Sequence, residues 1–329
     1  MTDHQNMPLP TITDIHAAAE TIKPYAVRTP LITSPVLDKL TGGQVFLKAE
    51  NLQRTGSFKF RGGFNAVSNL PESARAGGVY ACSSGNHAQG VADAAALHGM
   101  AATIVMPSDA PEMKKERTKR LGARVVEYDR YTEDRDAIAA KLAAETGGSI
   151  IHPYETFHVI AGQGTVGLEA ASDIAAMGHR IDRVLVCAGG GGLMAGVLLA
   201  VRDVFPEARI HPVEPEGHDD QRRSHAEGHR VGGNQGGPSI CDAIVTPMPG
   251  AASFAICKGQ LEKGLCVSDE EALAAVAFAW RELKLVVEPG GAVTLAALLT
   301  GKVDVAGETV VATLSGGNID PDMMVRALS

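Results

Sequence analysis

Residues 79–107 read VYACSSGNHAQGVADAAALHGMAATIVMP, and this stretch decides the fold. Two short apolar runs, Val79–Cys82 and Thr103–Met106, flank an alanine-rich segment, Asn86–His98, with helical spacing. Strand, polar turn, helix and strand make one parallel βαβ unit. The alternation continues through helix Glu112–Leu121, strand Arg124–Tyr128, helix Thr132–Thr146 and strand Ser149–His152. A second series holds helix Val159–Met177, strand Arg183–Cys187, helix Leu193–Phe205 and strand Arg209–Val213. It resumes at the capping box Ser268-Asp269-Glu270-Glu271, which opens a helix to Lys284. Extended Val286–Glu288, helix Ala292–Leu299, strand Thr309–Leu314 and a helix from Pro321 follow. Upstream lie helix Asp14–Lys23, strand Gln44–Glu50 and a helix over Phe64–Leu70. The polar stretch Glu216–Gly237, rich in His and Gly, reads as a loop ordered by a ligand or partner. The expected fold is α/β, with two open parallel-sheet domains. Residues 78–153 form a small mobile domain, and 1–77 with 154–329 a larger one.

Composition narrows the function. Of the 329 residues 45% are hydrophobic, and 37 glycines with only 4% aromatics suit helices packed tightly on a sheet. The net charge of −8 and the lack of a basic stripe argue against nucleic acid as a partner. No apolar run has membrane-spanning length and no signal-peptide core is present, so a cytoplasmic protein is expected. The five cysteines are scattered without paired metal spacing, and Cys82 and Cys187 read as small core residues of strands.

Chemistry collects at turns that follow strands, where open parallel sheets bind ligands. After Arg183–Cys187 comes Gly189-Gly190-Gly191-Gly192-Leu193, a backbone cradle for phosphate at a helix start. A dinucleotide site is the rival, with Glu214 as its ribose acid. Met194 stands at the third glycine position of G-x-G-x-x-G, which weakens a nicotinamide dehydrogenase reading. Ser83-Ser84-Gly85-Asn86-His87 offers donors suited to a carboxylate, or simply an N-cap. Ser315-Gly316-Gly317-Asn318 is a further small-residue turn. In Thr55-Gly56-Ser57-Phe58-Lys59-Phe60-Arg61-Gly62-Gly63 a lysine stands between an aromatic ring and a helix start. It is either a solvated residue of a turn or a desolvated, nucleophilic amine. Taken together, these turns describe a site for a phosphate-bearing cofactor and a small acid.

At these motifs the chain resembles the serine/threonine dehydratase family of pyridoxal-phosphate enzymes, of fold type II (tryptophan synthase β-like). Ala161-Gly162-Gln163-Gly164-Thr165 and Glu288-Pro289-Gly290-Gly291-Ala292 complete six motifs in order, and the resemblance runs from about Arg28 to Asn318. The resemblance implies that Lys59 forms the Schiff base with pyridoxal 5'-phosphate and then acts as general base. It places Phe58 on one ring face, Asn86 at the 3-hydroxyl, Gly189–Leu193 on the phosphate and Ser315 at the ring nitrogen. Ser83, Ser84, Asn86 and His87 would bind the substrate carboxylate. The implied reaction is β-elimination from a 3-hydroxy amino acid (serine, threonine or 3-hydroxyaspartate), giving a 2-oxo acid and ammonia. A homodimer is the family expectation.

Ser84 matches the branch that contains serine racemase and 3-hydroxyaspartate dehydratase, so an amino-acid racemase is the alternative activity. Arg135 falls where that branch has an arginine near the substrate; it is a fork for a second carboxylate or a surface partner of its acidic neighbours. Glu214, the His218 carbonyl and Asp220 resemble the branch's divalent-cation site for Mg²⁺, Ca²⁺ or Mn²⁺, or form a solvated acidic loop. Cys241-Asp242-Ala243 departs from the usual Ala-Asp-Gly, and Tyr154 stands where relatives carry Asn or Phe. The sequence ends soon after Ser315–Asn318, so a C-terminal regulatory domain of the biosynthetic dehydratase kind is not expected.

Overall fold

The computed structural model describes residues 8–110, 112–233 and 236–329. Among these, ten strands are present: β1 Leu31–Ile32, β2 Gln44–Ala49, β3 Val79–Cys82, β4 Ala102–Pro107, β5 Arg124–Tyr128, β6 Ser149–Ile150, β7 Arg183–Cys187, β8 Arg209–Pro215, β9 Leu265–Val267 and β10 Thr309–Leu314. They form two sheets. One has the order β1-β2-β10-β7-β8-β9, and the other β5-β4-β3-β6. Every pairing of these strands is parallel except β1 with β2.

Strand periodicity sorts the core of the larger sheet into two layers. Leu185, Cys187, Val310, Ala312 and Leu314 join the helices Asp269–Phe278 and Pro289–Leu299 on one face. Val184, Val186 and Val311 face the other way, against Phe157–Ala176 and Gly192–Val204. Those two helices approach closely: a Cβ on Gly196 would lie 2.5 Å from the Gly164 nitrogen, so neither position admits a side chain. The smaller sheet packs Val79, Ala81, Ile104 and Met106 against Ala88, Val91 and Ala95 of helix Asn86–Leu97 and against Phe60 and Phe64.

A buried charge cluster fixes helix Lys59–Ser68 to this scaffold. Arg61, fully buried, donates to both Glu50 oxygens at 2.8 Å and to both Glu169 oxygens at 2.8 and 2.9 Å. Lys48 completes it, bonding Glu169 at 2.6 Å and the Thr29 carbonyl at 2.7 Å.

Several local expectations change. The helix start expected beside Lys59 falls at Lys59 itself, because Thr55 (φ 64°) and Gly56 (φ 78°) turn the chain just before it, and the helix ends at Ser68, short of Leu70. Within the polar Glu216–Gly237 stretch lies a helix, Asp220–Glu227, stabilised from outside by the Glu214 carboxylate. That group accepts the Gln221 and Arg222 amides, both at 2.8 Å, a long-range cap that no local pattern shows. The helix opened at Ser268, whose capping box is present, gives way to a π-helical turn at Ala279–Leu283 and ends at Lys284 (φ 60°). Val286–Glu288 joins no sheet and leads straight into the helix at Pro289.

Candidate active site

The loops following β3, β7 and β10 meet at one cavity of about 210 Å³. Phe58, Lys59, Ser83, Ser84, Asn86, His87, Arg135, Gly189, Gly190, Gly191, Gly192, Leu193 and Ser315 all line it. Cys82 and Cys187, expected as plain core residues, line it as well. Glu214, His218 and Asp220 do not. They sit behind the glycine turn, to which Gln221 Nε2 reaches at the Gly189 carbonyl (2.5 Å).

Local geometry positions the lysine. Thr55 is β-branched and left-handed, a conformation that costs about 1–3 kcal/mol unless the surroundings hold it. The Ser315–Asn318 turn does so: Asn318 Nδ2 donates to the Thr55 carbonyl at 2.9 Å, and the Gly317 amide donates to Gly56 at 2.9 Å. The Phe58 amide donates to the Ser315 carbonyl at 3.1 Å. Two motifs about 260 residues apart thus form one clamp, and Lys59 opens the helix on top of it. Its Nζ lies 5.1 Å from the Phe58 ring centre and donates to the Pro153 carbonyl at 2.8 Å. The amine touches the cavity yet is densely surrounded by protein. That burial pulls its pKa down to about 8, against an opposing pull from Glu288.

The glycine turn has a clear polarity. The carbonyls of Gly189, Gly190 and Gly191 are taken by Gln221 Nε2, by the Gly250 amide and Ser253, and by the Ala195 amide. The amides of Gly189 to Leu193 find no acceptor among the described residues. Five unpaired donors at the start of helix Gly192–Val204 make a fitting seat for a phosphate. The glycines also have packing reasons. A Cβ on Gly190 would fall 2.2 Å from Tyr154 Cγ, and one on Gly189 2.6 Å from the Ile244 carbonyl. Tyr154, one of the departures noted in the sequence, covers the turn. Ala243, the other, also lines the cavity.

Sequence reasoning missed the groups behind Asn86. Asn86 Nδ2 donates to Glu288 Oε1 at 2.5 Å, and its Oδ1 accepts from Asn318 at 2.7 Å. Burial pushes the Glu288 carboxyl up to about 7, with the Asn86 hydrogen bond opposing. Glu288 opens the Glu-Pro-Gly-Gly-Ala motif, so its place in a motif was the available signal. His87 Nε2 bonds the Ile151 carbonyl at 2.8 Å, and burial followed by nearby Lys59 lowers its pKa to about 3, so the ring is neutral. Arg135, at the start of helix Arg135–Thr146, has Asp136 at 3.8 Å.

A lysine clamped over an anion seat, with a neutral hydroxyl at the cavity wall, is a pyridoxal-phosphate arrangement. A family model described as pyridoxal-phosphate dependent enzyme matches residues 22–316. The chain belongs to this family of fold type II enzymes, within its serine/threonine dehydratase group. Among curated relatives it is 45% identical over 314 residues to an L-threo-3-hydroxyaspartate ammonia-lyase of a Pseudomonas species, covering 95% of this chain and 97% of that protein. It is 40% identical to a serine racemase of Schizosaccharomyces pombe, covering 98% and 99%. The crystal structure of a T.th. threonine deaminase superposes with a TM-score of 0.88 at 42% identity, covering 94% and 99%. Pyridoxal phosphate is therefore the cofactor, and the five open amides and Lys59 fit it. Among the described residues no group of three or more His, Cys, Asp or Glu side chains could hold a metal. No helix among them is long and apolar enough to cross a membrane.

Proposed function

We propose that the protein is a hydroxy-amino-acid dehydratase (ammonia-lyase) that converts a 3-hydroxy amino acid to a 2-oxo acid and ammonia. The observation that carries this reading is the shared cavity of Lys59, the open Gly189–Leu193 amides and the Ser83–His87 turn. Bound pyridoxal phosphate supplies an electron sink that acidifies the substrate Cα–H. The chain's residues do the rest. Lys59, desolvated beside the seat, would be the base that takes the Cα proton. Ser83, Ser84, the Asn86 amide and His87 hold the α-carboxylate. The Asn86 side chain, oriented by Glu288 and Asn318, would hold the cofactor's 3-hydroxyl. Ser315, on the cavity wall, would offer a hydroxyl, not a carboxylic acid, to the ring nitrogen. This limits the sink and favours prompt loss of the β-hydroxyl.

Residues 78–153 would move as a unit over a cofactor held by the larger sheet. A cation at Glu214, the His218 carbonyl and Asp220 is supported by the buried, unpaired Asp220 Oδ1 and by two neighbouring carboxyls whose burial raises both pKa values. Mg²⁺, Ca²⁺ or Mn²⁺ would suit these oxygen donors; chelation that left stability and turnover unchanged would count against the site. A cytoplasmic homodimer is proposed from the family resemblance, and light scattering tests the dimer.

Racemisation is the second reading. Ser84 faces the cavity without a hydrogen bond among the described residues, free to return a proton from the side away from Lys59. Product analysis with both enantiomers of serine, threonine and the 3-hydroxyaspartate isomers tests the pair. Formation of 2-oxo acid supports the lyase; inversion without 2-oxo acid supports the racemase. Absence of cofactor absorbance overturns both.

A further inference from the structure

The Ala161–Thr165 motif lies on helix Phe157–Ala176, and the proposed reaction gives its glutamine no task. Gln163 is fully buried, yet it lines the cavity. Its Nε2 donates to the Pro153 carbonyl at 3.4 Å, the same oxygen that Lys59 Nζ holds at 2.8 Å. Among the described residues that carbonyl accepts from no other group. The opposite end of the amide faces Gly192, where a Cβ would fall 2.7 Å from Oε1, and there it finds no donor. Reversing the amide would set Oε1 against the Pro153 oxygen, acceptor against acceptor. Gly62, on the lysine's own helix, leaves the room this side chain needs: a Cβ there would stand 2.9 Å from its Cγ and 3.1 Å from its Nε2.

A buried amide with one end unsatisfied costs free energy that an apolar side chain of the same shape would not. What the amide offers in return is its N–H. In the free chain that N–H is the weaker partner of Pro153, because the lysine holds the shorter bond. Condensation with the cofactor reverses the order. The neutral Lys59 amine forms a C–N bond to the aldehyde carbon, the C=O bond breaks, and the oxygen leaves as water with both amine hydrogens. The linked nitrogen then has no hydrogen left for Pro153, whose buried carbonyl needs another donor. We infer that Gln163 is a positioning residue for cofactor loading: it takes over the Pro153 carbonyl when Lys59 leaves, and yields it when the lysine is freed. The inference rests on the proposed role of Lys59 as the residue that carries the cofactor.

Two ligands test it. Pyridoxal 5'-phosphate can condense with Lys59, whereas pyridoxine 5'-phosphate, an alcohol at the same carbon, offers the same phosphate and leaves the lysine at Pro153. Each is titrated into the apoprotein and followed by absorbance and calorimetry. Gln163→Met should weaken pyridoxal phosphate roughly 10- to 100-fold and pyridoxine phosphate by less than about threefold. Gln163→Glu keeps the shape but sets a carboxylate beside the resting amine, and it should weaken the aldehyde at least as much. Borohydride-trapped cofactor should fall in step in both variants. Equal losses for the two ligands mark a side chain that only shapes the cavity and overturn the inference. Aldehyde affinity within about threefold of the parent overturns it too. A parent protein that binds the aldehyde no more tightly than the alcohol, and traps none with borohydride, removes Lys59 from its proposed role and the inference with it.

Discussion

The cavity has two walls built from the same motif, a turn between a parallel strand and a helix, and they differ in how finished they are. In the turn after β7, carbonyls are consumed by protein donors and amides are left open, while Tyr154 and Ile244 leave no room even for a methyl group. The turn after β3 is loose: a Cβ on Gly85 would meet nothing within 4 Å, and Ser83, Ser84 and Gly85 keep partial exposure. The first wall is shaped for a group that stays, the second for one that comes and goes. Preorganisation belongs with the resident cofactor, whereas a turnover site needs space in which to admit and release its ligand.

The harshest challenge to this contrast is Lys59→Ala. It should abolish borohydride-trappable cofactor and lower turnover by about 10³-fold or more, measured by absorbance and 2-oxo acid release. Retention of both would remove the lysine from the finished wall. Next comes a matched pair of methyl insertions. Gly190→Ala should cost about 1–3 kcal/mol of stability and weaken cofactor binding, because its Cβ collides with Tyr154. Gly85→Ala should cost under about 1 kcal/mol. Similar effects in chemical denaturation would erase the difference between the walls.

Two pH effects sharpen it further. In the role proposed for Lys59, cofactor loading needs the neutral amine, and Lys59, lowered to about 8, gains it as pH rises through that value. Loading of the apoprotein should therefore climb through about pH 8 and level off, well short of an ordinary lysine near 10. Glu288 has the opposite consequence. Its carboxyl is raised from 4.5 to about 7, so between those values the folded chain binds the extra proton. Unfolding free energy then falls as pH rises through that window, and Glu288→Gln should remove this part of the slope. The smallest effect belongs to Lys114→Met. It breaks pairs with Asp242 and Asp320 at the rim and should change stability by less than about 1 kcal/mol.

The sequence carried the alternation of strands and helices well, because the central strands β3, β4, β7, β8 and β10 are buried along nearly their whole length and read as short apolar runs between helical segments. It carried the site wherever a turn follows a strand. It failed where contacts join distant segments. The Glu214 carboxylate makes a helix out of a polar stretch, and the Pro153 carbonyl holds Lys59 from 94 residues away. Asn86 reads as a ligand donor or an N-cap, and nothing near it in the sequence shows that Glu288 and Asn318 share its amide.

The Arg61–Glu50–Glu169–Lys48 cluster sets the angular position of the reactive amine. Advancing helix Lys59–Ser68 by a single residue would rotate it about 100°. That turn would carry Lys59 away from the cavity, leave buried Arg61 and Glu50 without mates and take one partner from Glu169. Such a cluster acts as a keyway: the helix seats in one orientation or does not seat. The same constraint limits its evolution, since losing any one of the four leaves unpaired charge in the interior. Change at these positions should therefore come as concerted replacement by apolar side chains, with single substitutions disfavoured.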